Sequence, residues 1–297
     1  MRTLQGTKQL VPPTPDVARR STVFSQVAVG DSRPASHVTL VAAVRAEFQK
    51  ARRSAALRAA VVAPIALVLV ALALSVLSSS GPGAAAYNFC LNVWNWWYAL
   101  FLPGTVGIVA SSLMHLDTRL GMRGVLGVPG SPALTFVAKT VLGVAMLLFS
   151  TLIVALTSIV VPLVLGGAGV PVSDALPATL LIMLTGAWLV PVTLALTARF
   201  GMLAGFAVTF LGDVALGVFG WQMGLIGALM PSAVRLLAMV PVLGIMPNGL
   251  SYDASSPYAT FVSDNLGTYA AGIVVSVAAC VFVTTLASRA FSKREAR

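Results

Sequence analysis

The sequence predicts an all-α fold: a polytopic membrane protein with six transmembrane helices, an N-terminal amphipathic interfacial helix and a re-entrant outer segment between spans five and six. Three observations predict it. Of 297 residues, 58% are hydrophobic and only 9% charged, with a mean hydropathy of +0.92. Soluble domains carry about a quarter charged residues, and a surface this apolar is stable only in lipid. Six stretches reach the roughly 20 residues that cross about 30 Å of hydrocarbon: 59–78, 94–114, 140–163, 178–198, 202–221 and 269–288. Between them the basic residues alternate by side. Ten precede the first span, and Arg119, Arg123, Lys139, Arg199, Arg289, Lys293, Arg294 and Arg297 fall on the same side. Only Arg235 lies on the other, a split of 18 to 1.

By the positive-inside rule the basic side is cytoplasmic, with both ends of the chain there, in a bacterial cell membrane. The net charge of +10 therefore follows from topology and anionic lipid; it implies no nucleic acid partner. The first span reads as retained rather than as a cleaved signal, because about 58 residues precede it and a signal has a short basic lead. The domain reading is a disordered cytoplasmic tail over 1–37, a transmembrane domain over 38–290 and a cytoplasmic C-terminal tail over 291–297. Pro12, Pro13 and Pro15, scattered Ser and Thr, and the lack of an apolar period leave 1–37 no way to bury a core.

The pattern changes at 36–56. Val38, Val41, Val44 and Phe48 recur at helical spacing, with Arg45, Glu47, Lys50, Arg52 and Arg53 on the other side. Such a helix lies along the membrane surface. Glu47 is the one acid in it, set either to pair with Lys50 or Arg45 or to face a partner. Span two opens on YNFCLNVWNWWYALFLP. Trp94, Trp96, Trp97 and Tyr98 suit an aromatic belt, which would not need Asn92 and Asn95. Amides at that depth either bond across helices or line a wet cleft, so the run either anchors the interface or contributes to a surface facing cargo.

The inner connection 115–139 carries Arg119 and Arg123 and breaks at Gly127, Pro129, Gly130 and Pro132. It predicts a short helix along the membrane followed by a third span that starts early. That run, 133–166, is about 50 Å long at 1.5 Å per residue, so its first turns protrude and leave Lys139 at headgroup level. Pro162 and Pro191 are expected to kink spans three and four. The connection between spans five and six is apolar at first but broken by Pro231, Pro241 and Pro247. Short helices that dip into the outer leaflet and return fit it best, covered by protein or water.

Catalytic patterns are missing. The chain has no GxxxxGK[ST], HExxH, CxxC or GxSxG, and two histidines, His37 and His115. Cys90 and Cys280 fall at depths too different to bridge and read as packing residues. No cofactor or metal is expected in this chain. Asp213 is the single acid well inside an apolar run, either bonded to a neighbouring helix or serving cargo or gating.

The segments VRAEFQKARRS, NVWNWWYALFLPG, RLGMRGVLGVPGSPALTFVAK and PVLGIMPNG resemble those of lantibiotic-immunity permease subunits, which are ABC-2-type transporter proteins. The resemblance covers about 40–290 and leaves out the first 37 residues. It implies a non-catalytic permease subunit paired with a second half, identical or paralogous. The pair would be driven by a dimer of a separate ABC ATPase that holds the ATP and Mg. The cargo it implies is an amphipathic antimicrobial peptide expelled from the bilayer. In that frame Glu47, Arg119 and Arg123 are candidate ATPase-coupling residues, and Asn92, Trp94, Asn95, Trp97 and Asp213 are candidates to face the substrate. A non-transporting scaffold or sensor subunit is the alternative. An ion-coupled secondary carrier comes third, weakened by the single intramembrane acid and by the lack of an inverted repeat.

Overall fold

Helix α1 (Leu40–Ala51) begins where Thr39 caps it, its side chain accepting the Ala42 N–H. A corner follows in which Ser54 acts twice. Its hydroxyl donates to the Ala51 carbonyl at 2.8 Å and accepts the Ala56 N–H at 3.2 Å. One serine thus ends the interfacial helix and caps α2 (Ala55–Ser78), the first span. The computed structural model describes residues 38–118, 131–252, 255 and 264–295. The expected tail over 1–37, Arg119 and Arg123 lie outside these.

Span two is assembled from α3 (Pro82–Trp96), a π-helical turn (Trp97–Phe101) and α4 (Leu102–Thr118). It starts a dozen residues before the apolar run at 94–114, because Pro82 opens it at a position where a missing N–H costs nothing. Span three is α5 (Pro132–Val164), 33 residues long and early to start, as expected. Span four joins α6 (Val172–Gly186) to α7 (Leu189–Phe200), and α8 (Met202–Gly220) is span five. Gly201, at φ +91°, makes the tight turn between α7 and α8. Three short helices follow: α9 (Leu225–Leu229), α10 (Pro231–Leu237) and α11 (Val240–Leu243). The last span is α12 (Leu266–Glu295), which runs on through 291–295.

The six expected stretches fall within the six long apolar helices to within one residue. Among the described residues there is no β-strand, only an isolated bridge between Ile245 and Ser251. This is a multi-pass membrane protein. Spans two and four are its most buried, and spans five and six present most of their surface outward. The short helix α10 is interior too, with every residue from Ser232 to Leu237 buried.

Proline shapes the packing. A proline inside a helix lacks the N–H that would meet the carbonyl four residues earlier, and lipid offers no replacement. Pro64 frees the Ala60 carbonyl, and Ser150 of α5 donates to it at 2.7 Å. Pro162 frees that of Ser158, which takes the Val170 N–H at 3.1 Å and the Cys90 thiol at 3.8 Å. Pro191 frees that of Ala187, met by the Val190 N–H at 3.2 Å and the Cys280 thiol at 3.6 Å. The two cysteines, both free, are thus donors to proline-freed carbonyls.

Candidate functional site

The carboxylate of Glu47 is the starting point on the face that carries α1. Glu47 points inward from α1 and is 3% exposed, while Val41 and Phe48 of the same helix stay open on its other side. Lys139 of α5 reaches Glu47 Oε2 at 2.5 Å and Asp117 Oδ2, at the end of α4, at 2.9 Å. It also donates to the Leu113 carbonyl at 2.9 Å. Lys50 lies 2.7 Å from Glu47 Oε1 and 3.6 Å from Asp117 Oδ1. Two acids and two ammonium groups alternate, so the cluster is neutral although Glu47, Asp117 and Lys139 are buried. Charge this deep is tolerated only when paired and hydrogen-bonded.

For Lys50, partial burial opposes the charge, but the hydrogen bond and attraction of Glu47, with Asp117 behind it, hold its pKa above the usual value. Beside the cluster the Phe291 ring of α12 packs on Phe136 at 5.2 Å between centroids. The ends of α1, α4 and α12 and the beginning of α5 therefore converge on one point.

The other buried charge lies deep in the helices. Asp213 of α8 pairs with the guanidinium of Arg235 on α10 and accepts the Ser232 hydroxyl at 2.7 Å. Arg235 Nε donates at 2.9 Å to the Tyr98 carbonyl, and the sequence explains why that carbonyl is available. In the π-helical turn the Leu102 N–H bonds Trp97 instead of Tyr98. The next donor in π register belongs to residue 103, which is proline. A vacant backbone acceptor on span two, a carboxylate on span five and a serine one turn away thus surround Arg235, which is fully buried.

The candidate substrate-facing residues have different neighbours. Trp94 and Trp97 are both 0% exposed, and Trp97 Nε1 donates to Thr151 Oγ1 of α5 at 3.2 Å. Asn92 donates to Ser75 of α2 at 3.3 Å, and Asn88 to Ser79 at 2.9 Å. These amides bond across helices, one of the two readings open for Asn92. Asn95 lies beneath Gly249, where an added Cβ would stand 2.5 Å from its Nδ2. Asn95 and Asp213 thus both abut the segment 225–252, whereas Asn92, Trp94 and Trp97 join spans to one another.

Sequence reasoning named Glu47 and Asp213 but missed Asp117, Lys139 and Arg235 as their partners. One signal was available: Arg235 is the single exception to the charge alternation and Asp213 the single acid deep in an apolar run. Two exceptions of opposite sign are natural partners. Among the described residues no group of three or more His, Cys, Asp or Glu is placed to hold a metal ion.

A bundle of six long apolar helices, with an N-terminal helix clamped to it by charge, defines a multi-pass membrane protein. More narrowly, the chain belongs to the ABC-2 family of transporter proteins, whose model matches residues 43–211. The match includes Glu47, Asp117 and Lys139 and stops just short of Asp213. No curated protein and no solved structure matches the chain.

Proposed function

We propose that the chain is the non-catalytic permease subunit of an ATP-driven exporter in a bacterial cell membrane. Its cargo in this reading is an amphipathic antimicrobial peptide of the lantibiotic kind, so the protein confers immunity or resistance. Both termini and α1 are cytoplasmic, and the re-entrant helices face outward. Family membership implies partnership with an ABC ATPase, which supplies the ATP and Mg chemistry. A second permease half completes the pore.

The observation that carries this reading is the clamp formed by Glu47, Lys139 and Asp117. An ATPase closing on nucleotide must push on something stiff, and α1 is tied by buried ion pairs to spans two and three together. Displacing α1 then displaces those spans, not a loose flap. The work comes from the different affinities of nucleotide for the inward and outward arrangements. Glu47 contributes to coupling by holding α1 in place, since its carboxylate is occupied by lysines. Arg119 and Arg123 follow Asp117 in sequence and are the candidate contacts with the ATPase. The Asp213–Arg235 pair speaks against an ion-coupled carrier, because its carboxylate is already neutralised.

The test is a mild-detergent pull-down of the tagged chain from its host, followed by mass spectrometry. A stoichiometric soluble partner with Walker motifs is expected, with cargo-stimulated ATP hydrolysis in the reconstituted complex. A chain that comes down alone after crosslinking in cells would overturn the exporter reading. A bound ATPase indifferent to peptide would favour the scaffold or sensor.

A further inference from the structure

A cleft of about 450 Å³ opens where the segment after α11 meets the beginnings of spans two and four. Its walls are Tyr87, Cys90 and Leu91 of α3, Val170 before α6, and Leu243 with Ile245 beyond α11. Asp174 of α6 lines it as well. The volume lies in the range of small-ligand sites, and the walls are mostly apolar apart from this carboxylate and the Tyr87 phenol.

Asp174 is half-buried and accepts the Ser173 hydroxyl at 3.0 Å. Among the described residues no Lys or Arg pairs with it, whereas Glu47, Asp117 and Asp213 all have basic partners. A concave apolar surface beside a carboxylate that has no basic partner among the described residues complements one kind of molecule.

We propose that this cleft binds an amphipathic cation, with an ammonium or guanidinium group at Asp174 and its apolar part against Tyr87, Leu91, Val170 and Leu243. Tyr87, 54% exposed, offers its ring face to the cation or its stem. As a cargo site the cleft rests on the exporter reading and sharpens it, since it selects the cationic side chain of a peptide. Binding itself needs neither ATPase nor transport, so the two ideas fail separately.

The experiment uses the full chain carrying Cys280→Ser, in nanodiscs of phosphatidylcholine, with empty nanodiscs as blank. The probe is dansylcadaverine, a primary ammonium on an apolar stem; its control is the same dansyl amide ending in a hydroxyl. Modification of Cys90 by N-ethylmaleimide reports occupancy, and dansyl emission gives an independent titration. The ammonium probe should slow labelling and bind, while the alcohol should do neither. Asp174→Asn should weaken binding, read by dansyl emission, about tenfold, the size of one lost charge-assisted contact. Equal binding of the alcohol, or an unchanged Asp174→Asn titration, overturns the site. Slower labelling of Cys90 in a second set of nanodiscs that also contain phosphatidylethanolamine, before any probe is added, would make the cleft a lipid site and overturn the cargo assignment. Should the pull-down find no ATPase while the probe binds as expected, the site stands and the exporter falls.

Discussion

Ser150 donates its hydroxyl to the carbonyl of Ala60 at 2.7 Å, and that carbonyl is free because Pro64 has no N–H to offer it. The same logic recurs with Cys90 at the carbonyl freed by Pro162, Cys280 at the one freed by Pro191 and Arg235 at Tyr98. In water an orphaned carbonyl is cheaply solvated; in hydrocarbon it needs a donor from within the protein. Kinks that read as weak points thus fix which helices are neighbours: α5 with α2, α3 with α5, α12 with α7, and α10 with the π turn.

This makes the effect of Ser150→Ala depend on Pro64. Alone, it should lower the thermal midpoint in detergent by the equivalent of about 1 kcal/mol, a usual size for such bonds in membranes. In a Pro64→Ala background the restored N–H meets Ala60, so the serine should matter little. Strictly additive midpoints in the double-mutant cycle would refute the pairing.

Lys139 is predicted to be the least replaceable member of the cluster at α1. Lys139→Met leaves two buried carboxylates facing Lys50 alone, a loss in the range of about 3–5 kcal/mol for a broken buried pair. Exchanging charges with Glu47→Lys and Lys139→Glu should recover part of it. Detergent unfolding midpoints test the stability, and ATPase stimulation in the reconstituted complex tests the coupling. No recovery in the exchange variant, with each single variant mild, would mean the clamp contributes little.

Lys50 adds a pH dependence of defined sign. Its pKa is raised in the folded protein, so its contribution is complete below the ordinary lysine value of 10.5 and is lost as pH rises through the elevated one. The midpoint difference between the native protein and Lys50→Met should be flat through neutral pH and shrink only at strongly alkaline pH. A difference that grew with alkalinity would contradict the pairing.

The spans were legible because a 20-residue apolar run has few alternatives in a chain this long, and five of the six stretches returned with their ends extended while the fifth ends one residue earlier. Span two shows why ends are harder. Its first turns, around Asn88 and Asn92, are too polar for hydropathy to claim, yet they pack against α2 through Ser79 and Ser75. The cluster at Glu47 was half legible: the pairing with Lys50 was visible, but not that the acid turns inward, because Lys139 is 92 residues away in sequence and only the fold brings it close. The tryptophan run was ambiguous in principle. Aromatics at an interface and aromatics in a bundle core have the same local pattern, and burial alone separates them.

Asp213→Asn should destabilise the protein strongly, because it leaves Arg235 buried without its counter-charge. Removing both charges, with Asp213→Leu and Arg235→Met, should be milder than either single change. Accumulation in membranes and the detergent midpoint report this directly. If Asp213→Asn accumulated normally but abolished gradient-driven uptake, the ion-coupled carrier would be restored and the structural role of the pair would fall.

Trp94 and Trp97 give the clearest separation between anchoring and cargo roles. Both rings are wholly enclosed, so a cavity-creating double change, Trp94→Ala with Trp97→Ala, should reduce accumulation and peptide resistance together, at about 3–5 kcal/mol per ring. Trp97→Phe keeps most of the volume and loses the bond to Thr151, whose hydroxyl still donates to Leu147 at 3.0 Å; its cost should be near 1 kcal/mol. Trp96, 38% exposed, is the control: Trp96→Ala should leave accumulation intact. The measurement is resistance per unit of membrane-inserted protein. A constant ratio in the double variant assigns the two rings to the bundle. A ratio that collapses while accumulation holds would mean that cargo reaches them in a second arrangement, and the enclosed state would then be only one half of the transport cycle.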